Sequence, residues 1–333
     1  MMQRIWKSTV LAIAAAVVVA GGTAVAGAKT EFRLSNQFPA SHHVSKGLVL
    51  FAAKVKEYSK GAVEVKIFDS AQLYKDTEIV EALQEGLIES GLVPVNKWSG
   101  MIPAADVFEV PFVFKDLTSI KKFIDAGAGE LLDKEFQKRA VKTLFWVDYG
   151  YIQFFNNKRP LTKPDDFKGI TMRSFSSGDA DTLKALGAAP TVMSSSEMYM
   201  ALQRGTMDGA TTGMPAAVSR KIQEVQKYMT EANYTTAQFV MQANLKWWEK
   251  LPQDQREAVL KAGREAEEWI RGAIAQSEDE AEKVIRKAGV QIHQLTPEAR
   301  PLFIKATEPV RQTFANKSGE LAKKLMEIAL GLK

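Results

Sequence analysis

Cysteine is absent from the 333-residue chain, so no disulfide can brace it and no thiol can act as nucleophile or metal ligand. Histidine is scarce: only His42, His43 and His293 occur. The first two are adjacent, so on a regular strand or helix their rings diverge and make poor partners for one metal. A loop or helix-capping role suits them better. No H-E-x-x-H or G-x-S-x-G segment is present, which removes the usual zinc-hydrolase and serine-hydrolase signatures. The S-x-x-K match at Ser119 to Lys122 lacks its S-D-N and K-T-G partners. Gly127-Ala128-Gly129 lacks a third glycine and follows a helical stretch, so it is no dinucleotide loop. Asp179-Ala180-Asp181 lacks the glycine and distant glutamate of a calcium loop. The expectation is therefore a protein without catalytic residues, cofactor or bound metal. Charge of one sign is also in short supply. The formal net charge is +5, spread over 44 basic and 39 acidic residues, too diffuse for the concentrated basic face that nucleic acid requires.

Long apolar runs are missing except at the start. Arg4 and Lys7 precede an uninterrupted run of small and apolar residues from Val10 to Ala20. Gly21-Gly22 then breaks the run, and Ala24-Val25-Ala26 offers small residues where a signal peptidase reads. That is the pattern of a secretory leader, cut after Ala26 or, as second choice, after Ala28. Removing it takes away two basic residues and leaves a net +3. About 300 residues remain, enough for two domains that must rely on their own cores.

From Phe32 onward, strand-like and helix-like apolar patterns alternate. Strands are expected at Phe32–Asn36, Ala62–Phe68 and Ile88–Val95. Helices are expected at Gly47–Tyr58, with Leu48, Phe51, Ala52 and Val55 on one face, and at Thr77–Gln84, capped by Asp76 or Thr77. Two helices (Leu117–Ala126, Glu130–Arg139) and a strand (Val141–Asp148) follow. The alternation restarts after Gly150, with strands at Tyr151–Asn156, Gly169–Arg173, Pro190–Val192 and Thr206–Thr211 around helices Ala180–Leu186 and Glu197–Gln203. A helix Ala216–Gln226 and a long strand Tyr234–Asn244 then carry the chain back. Two alternations predict two α/β lobes, the first built on a parallel sheet. Leu251-Pro252 opens the longest helical run, which reaches Lys287 before Gly289 stops it. It is either one helix about 50 Å long, lying across both lobes as a spine, or two helices split near Gln276 to Asp279. A strand at Val290–His293 and two helices close on the second lobe.

The strand Ile170–Met172 ends on Arg173, and a Ser/Gly/Asp loop then opens a helix. Ligands collect at the carboxyl ends of strands in open α/β sheets, because backbone N–H groups and a guanidinium can converge there on an anion. Arg173 is thus the candidate anchor for an acidic small molecule, in a binder rather than a catalyst.

An ordered series of motifs carries a resemblance. Ala71-Gln72-Leu73-Tyr74-Lys75-Asp76-Thr77-Glu78 resembles a G-Q-L-G-x-x-x-E segment, Pro111-Phe112-Val113-Phe114 a P-F-L-F segment, and Asp166 to Arg173 a D-L-K-G-L-K-I-R segment. Leu186 to Pro190, Glu197 to Gln203, Met207-Asp208-Gly209, Glu224 to Tyr228 and Trp248 to Pro252 continue it. Over almost all of the mature chain the sequence resembles the solute receptors of tripartite ATP-independent periplasmic (TRAP) transporters.

The resemblance implies an α/β, two-lobed, periplasmic-binding-protein-like clamshell with crossing strands and a long spine helix. The first lobe would span 27–150 with a returning segment at 239–275, and the second 151–238 with the segment 276–333. It further implies a periplasmic receptor that delivers a small organic anion to TRAP membrane permease subunits, with Arg173 pairing the ligand carboxylate. The fork of a guanidinium suits that role, since it meets a carboxylate through two parallel bonds where lysine offers a point charge. Gln37, Phe38, Asn96, Trp98, Tyr151, Phe175 and Ser176 are the candidates for the wall of the cleft. Three positions depart from the family pattern. Ile152 stands where a second arginine is common, Thr212 replaces a ligand-facing asparagine, and Ser195 replaces an aromatic. Fewer charges and amides predict a small monoanion, a carboxylate or a sulfonate. The alternatives are an exported binding protein serving an ATP-driven importer or a sensor, and a secreted enzyme that uses Arg173 as substrate anchor.

Overall fold

The computed structural model describes residues 29–317 and 319–332; the leader predicted before Ala26 lies outside them. Two mixed sheets organise the chain. The first holds β1 (Thr30–Ser35), β2 (Val63–Phe68), β3 (Ser90–Pro94) and β4 (Val141–Val147). It is interrupted by a late strand, β10 (Phe239–Asn244), in the order β2-β1-β3-β10-β4. Helices α1 (His43–Tyr58), α2 (Ile79–Gln84), α3 (Leu117–Phe123) and α4 (Gly129–Gln137) connect these strands. The second sheet contains β5 (Gln153–Asn156), β6 (Thr171–Ser174), β7 (Ala189–Val192), β8 (Gly209–Thr212) and β9 (Tyr228–Glu231). Its helices are α5 (Ser177–Leu186), α6 (Met198–Gln203) and α7 (Met214–Ser219). After β10 (Phe239–Asn244) come α8 (Leu245–Lys250), α9 (Gln253–Lys287), β11 (Gln291–Gln294), α10 (Arg300–Lys317) and α11 (Gly319–Gly331). The second sheet runs β11-β9-β5-β8-β6-β7.

The parallel sheet expected in the first lobe is corrected in one respect, and the second sheet is mixed as well. β10 inserts antiparallel between β3 and β4, and β5 lies antiparallel to β8 and β9. Each reversal is a strand that has crossed from the other lobe. The long strand expected from Tyr234 is shortened to Phe239–Asn244, because Tyr234 to Gln238 form the crossing itself. There the two passing segments touch: Tyr151 bridges Thr236, Ile152 N donates to Thr235 O at 2.9 Å, and Thr236 Oγ1 donates to Gly150 O at 2.7 Å. Gly150 takes φ 108°, a left-handed value that costs glycine least.

The longest helix is unbroken. α9 has 35 residues and is about 50 Å long at 1.5 Å per residue. Its first half buries Val259, Ala262 and Ala266 against Phe145 and the first sheet, while Ala281 and Ile285 join Phe155 and Met229 of the second. It therefore spans both lobes. The helix expected over Ala216–Gln226 ends at Ser219, where the chain turns through Lys221 at φ 60°. The closing helices divide: Phe303 of α10 packs on Phe167 in the second lobe. α11 instead returns to the first, with Ala322, Leu325 and Met326 in the cluster of Val107 and Phe108. That corrects the expectation that both close on the second lobe. Among the described residues no helix is long and apolar enough to cross a membrane.

Candidate ligand-binding cleft

Arg173 is the penultimate residue of β6, and β8 lies beside it. Although only 1% exposed, its guanidinium is fully oriented. Nε donates to Met193 O, Nη1 to Thr211 O and Nη2 to Ser195 Oγ, each at 3.0 Å. Three of the five N–H positions are thereby used, leaving one on each terminal nitrogen. Two of the three acceptors are main-chain carbonyls, so the aim of the side chain is set by the fold. Burial lowers the Arg173 pKa, and the nearby Asp76 and Asp179 carboxylates oppose that shift. Asp179 is itself buried and held by Ser174 Oγ at 2.7 Å, Thr211 Oγ1 at 2.6 Å and Tyr234 OH at 2.5 Å.

Arg173 lines a cleft between the two sheets. Of the candidates, Gln37, Phe38 and Asn96 border it from the first lobe and Phe175, Ser195 and Thr212 from the second. Three expected wall residues lie elsewhere. Trp98 is fully buried in the first lobe, donating to Gln242 Oε1 at 3.1 Å and packing on Phe136. Tyr151 faces a recess near Phe114 and Thr236 behind the crossing. Ser176 caps α5, accepting from Asp179 N at 3.0 Å and donating to Glu109 across the lobe boundary. The histidine expectation also needs correction. His42 does cap α1, but its ring lies 4.4 Å from that of His43 and both are buried. Desolvation holds the pKa of His43 down at about 4.

Sequence reasoning missed four cleft residues. Asp76, read as a helix cap, makes no cap bond. Its carboxylate instead accepts from Ser194 Oγ at 2.5 Å and Ser195 Oγ at 3.3 Å, both from the other lobe. Lys97 stands 3.8 Å from Asp76 and donates to Phe175 O at 2.8 Å. Burial would raise the Asp76 pKa, yet Lys97, the Ser194 hydroxyl and Arg173 bring it below the usual value. Tyr149 OH donates or accepts with Thr212 Oγ1 at 3.1 Å and accepts from Gly213 N at 2.8 Å. Arg220, just after α7, reaches across to donate to Gln37 O at 3.2 Å, its guanidinium 4.9 Å from the centre of the Phe38 ring. The cleft thus has three cations and one carboxylate among the described residues. Ile152 does line it without charge, but Arg220 supplies a second guanidinium from another element. The premise of a charge-poor cleft, from which a monoanion was expected, is corrected.

Two α/β lobes joined by crossing segments, closed over a cationic cleft and spanned by one helix, define a solute-binding protein. The chain belongs to the bacterial extracellular solute-binding protein family 7, whose model matches residues 34–318, the solute-binding proteins of TRAP systems. It is 32% identical over 277 residues to the C4-dicarboxylate-binding periplasmic protein DctP of Rhodobacter capsulatus, covering 82% of this chain and 83% of that one. The protein of the same description from Vibrio cholerae is 30% identical over 285 residues, 84% of each chain. Among solved structures, a TRAP periplasmic solute-binding protein of Sulfurospirillum deleyianum with bound succinate superposes with a TM-score of 0.86 at 29% identity. That match covers 92% of this chain and 99% of the other. The sugar acid binding protein of Advenella mimigardefordensis in complex with galactonate superposes at 0.88 and 24% identity, over 92% and 99% of the two chains, and speaks to the fold alone. The family is one of receptors rather than of enzymes.

Proposed function

We propose that this protein is the periplasmic receptor of a TRAP transporter, which captures a small organic acid between its lobes and delivers it to membrane permease subunits. The observation that carries the reading is the geometry of Arg173: buried, oriented by main-chain carbonyls, and left with one N–H on each terminal nitrogen at the cleft. That arrangement suits two parallel charge-assisted bonds to one carboxylate. Such bonds contribute about 1.5–3 kcal/mol each, against roughly 8 kcal/mol for micromolar affinity. Contacts from the closing lobe supply the remainder. With Lys97 and Asp76 paired, Arg220 is left for a second anionic or electron-rich group, which favours a dicarboxylate over a monoanion. The dicarboxylate-binding relatives support this reading.

The test is a thermal-shift and calorimetric screen of mono- and dicarboxylates. Wild type should be stabilised by at least one of them, and Arg173→Ala should lose that response. Arg173→Lys should keep a weak remnant, because it keeps the charge without the fork. Wild-type affinity in Arg173→Ala would refute the assignment. Co-purification with integral membrane subunits, with no ATPase among them, separates the TRAP reading from an ATP-driven importer.

A further inference from the structure

A carboxyl group at a seam between two moving lobes meets two environments, dry when they shut and wet when they part. Burial favours its neutral form and water its charged one. The 3-10 helix Pro103–Glu109 of the first lobe brings two carboxyls to such a seam. Asp106 and Glu109 stand three apart, a spacing at which side chains of a 3-10 helix project on the same side. Both meet the start of α5 in the second lobe, where a Cβ built on Gly178 would stand 2.6 Å from Glu109 Oε2 and 3.6 Å from Asp106 Cγ. Glu109 is 3% exposed, accepting from Ser176 Oγ across the seam and from Asn96 Nδ2 in its own lobe. Asp106 accepts from Ser99 Oγ and borders a recess with Gly178 and Asp181.

These donors and the amino end of α5 accommodate one negative charge. They do not accommodate two. Asp179 and Asp181 of α5 add like charge, and Tyr234 of the crossing segment donates to Asp179. Lys97 is held by Asp76 at 3.8 Å and by Phe175 O at 2.8 Å. α10 meets the recess through uncharged Val310, Thr313 and Phe314, and α11 packs beneath through Leu325 and Met326. Two carboxyls so placed share a proton, because like charges at close range cannot both ionise. Burial, the first cause for each, raises Asp106 to about 6 and Glu109 well above the ordinary range. When the lobes part, α5 withdraws, water reaches both groups, and both ionise at neutral pH.

We infer that the lobes close with a proton taken up by the Asp106–Glu109 pair, so that capturing the ligand draws a proton from solution and reopening returns it. The inference rests on the receptor function proposed above. It makes Glu109 a positioning residue, acting through closure and through Asn96, which lines the cleft.

Calorimetry on the full mature protein tests it with fumarate, pyruvate and gluconate, acids that are themselves fully ionised from about pH 6 to about pH 7.5. The closed pair holds a proton that the open pair has lost, so raising the pH favours the open form. Affinity for at least one acid should therefore fall about threefold or more over that range. Glu109→Gln cannot ionise; it should flatten the profile and bind more tightly than wild type at the upper end, which a merely structural role would not produce. Its melting temperature without ligand reports whether it folds, and the wild-type profile is decisive without it. Wild-type affinity that does not change with pH, or an equal change in Glu109→Gln, would overturn the inference and leave the receptor function standing. Failure of these acids and of the whole carboxylate screen to bind would overturn both.

Discussion

The two guanidiniums of the cleft are held in opposite ways. Arg173 bonds only within its own lobe, to Met193 O, Thr211 O and Ser195 Oγ. Arg220 comes from the same lobe but finds its partners, Gln37 O and the Phe38 ring, on the other. The first is therefore in place whether the lobes are open or shut, and pre-organisation spares the ligand the cost of ordering it. The second gains its contacts only on closure. One side chain acts as an anchor and the other as a latch, and clamshell closure is the step that distinguishes them.

The largest expected effect tests the anchor. Arg173→Ala should weaken ligand binding by about a hundredfold or more, since two charge-assisted bonds are lost together. A smaller effect tests the latch: Arg220→Ala should weaken binding about tenfold, chiefly through faster dissociation in stopped-flow traces, because closure is less secure while capture by Arg173 is intact. Equal losses in the association rate for both variants would erase the distinction between anchor and latch.

The lobes also meet behind the cleft, where Glu109 accepts from Ser176. Burial first, then the neighbouring Asp106, raises the Glu109 pKa well above the ordinary carboxyl value. The folded state thus holds this proton to higher pH than the unfolded chain does, and its contribution to stability is lost as pH rises through that raised value. Glu109→Gln should therefore gain in melting temperature relative to wild type between pH 5 and 8; a constant difference would contradict this. The smallest effect is expected at the cleft mouth, where exposed Lys75 and Glu197 pair across the lobes at 2.7 Å. Lys75→Ala should change affinity by about twofold at most, since exposed pairs are screened and contribute little.

The alternation of apolar patterns made the two lobes and the spine helix legible, and the end of a strand made Arg173 legible. The remainder depends on contacts distant in sequence. The insertion of β10 between β3 and β4 is a pairing across roughly 100 residues or more that no local pattern encodes. α7 looked longer because apolar Ile222 and Val225 continue its period past the turn at Lys221. Asp76 reads as a cap, and Arg220 lies unremarked within the expected helix Ala216–Gln226, until the opposite lobe is placed against them. Asn96, Lys97 and Trp98 are consecutive, yet the short helical turn Val95–Trp98 aims the first two at the cleft and the third into the core. In that tight turn one position separates a wall residue from a core residue.

A crystal structure of the protein with its bound acid tests the central claim most directly. The account predicts a ligand carboxylate with one oxygen within about 3 Å of each terminal nitrogen of Arg173, the range of charge-assisted hydrogen bonds. A ligand seated in the cleft with its carboxylate on other groups, and Arg173 bonded only to Met193, Thr211 and Ser195, would contradict it.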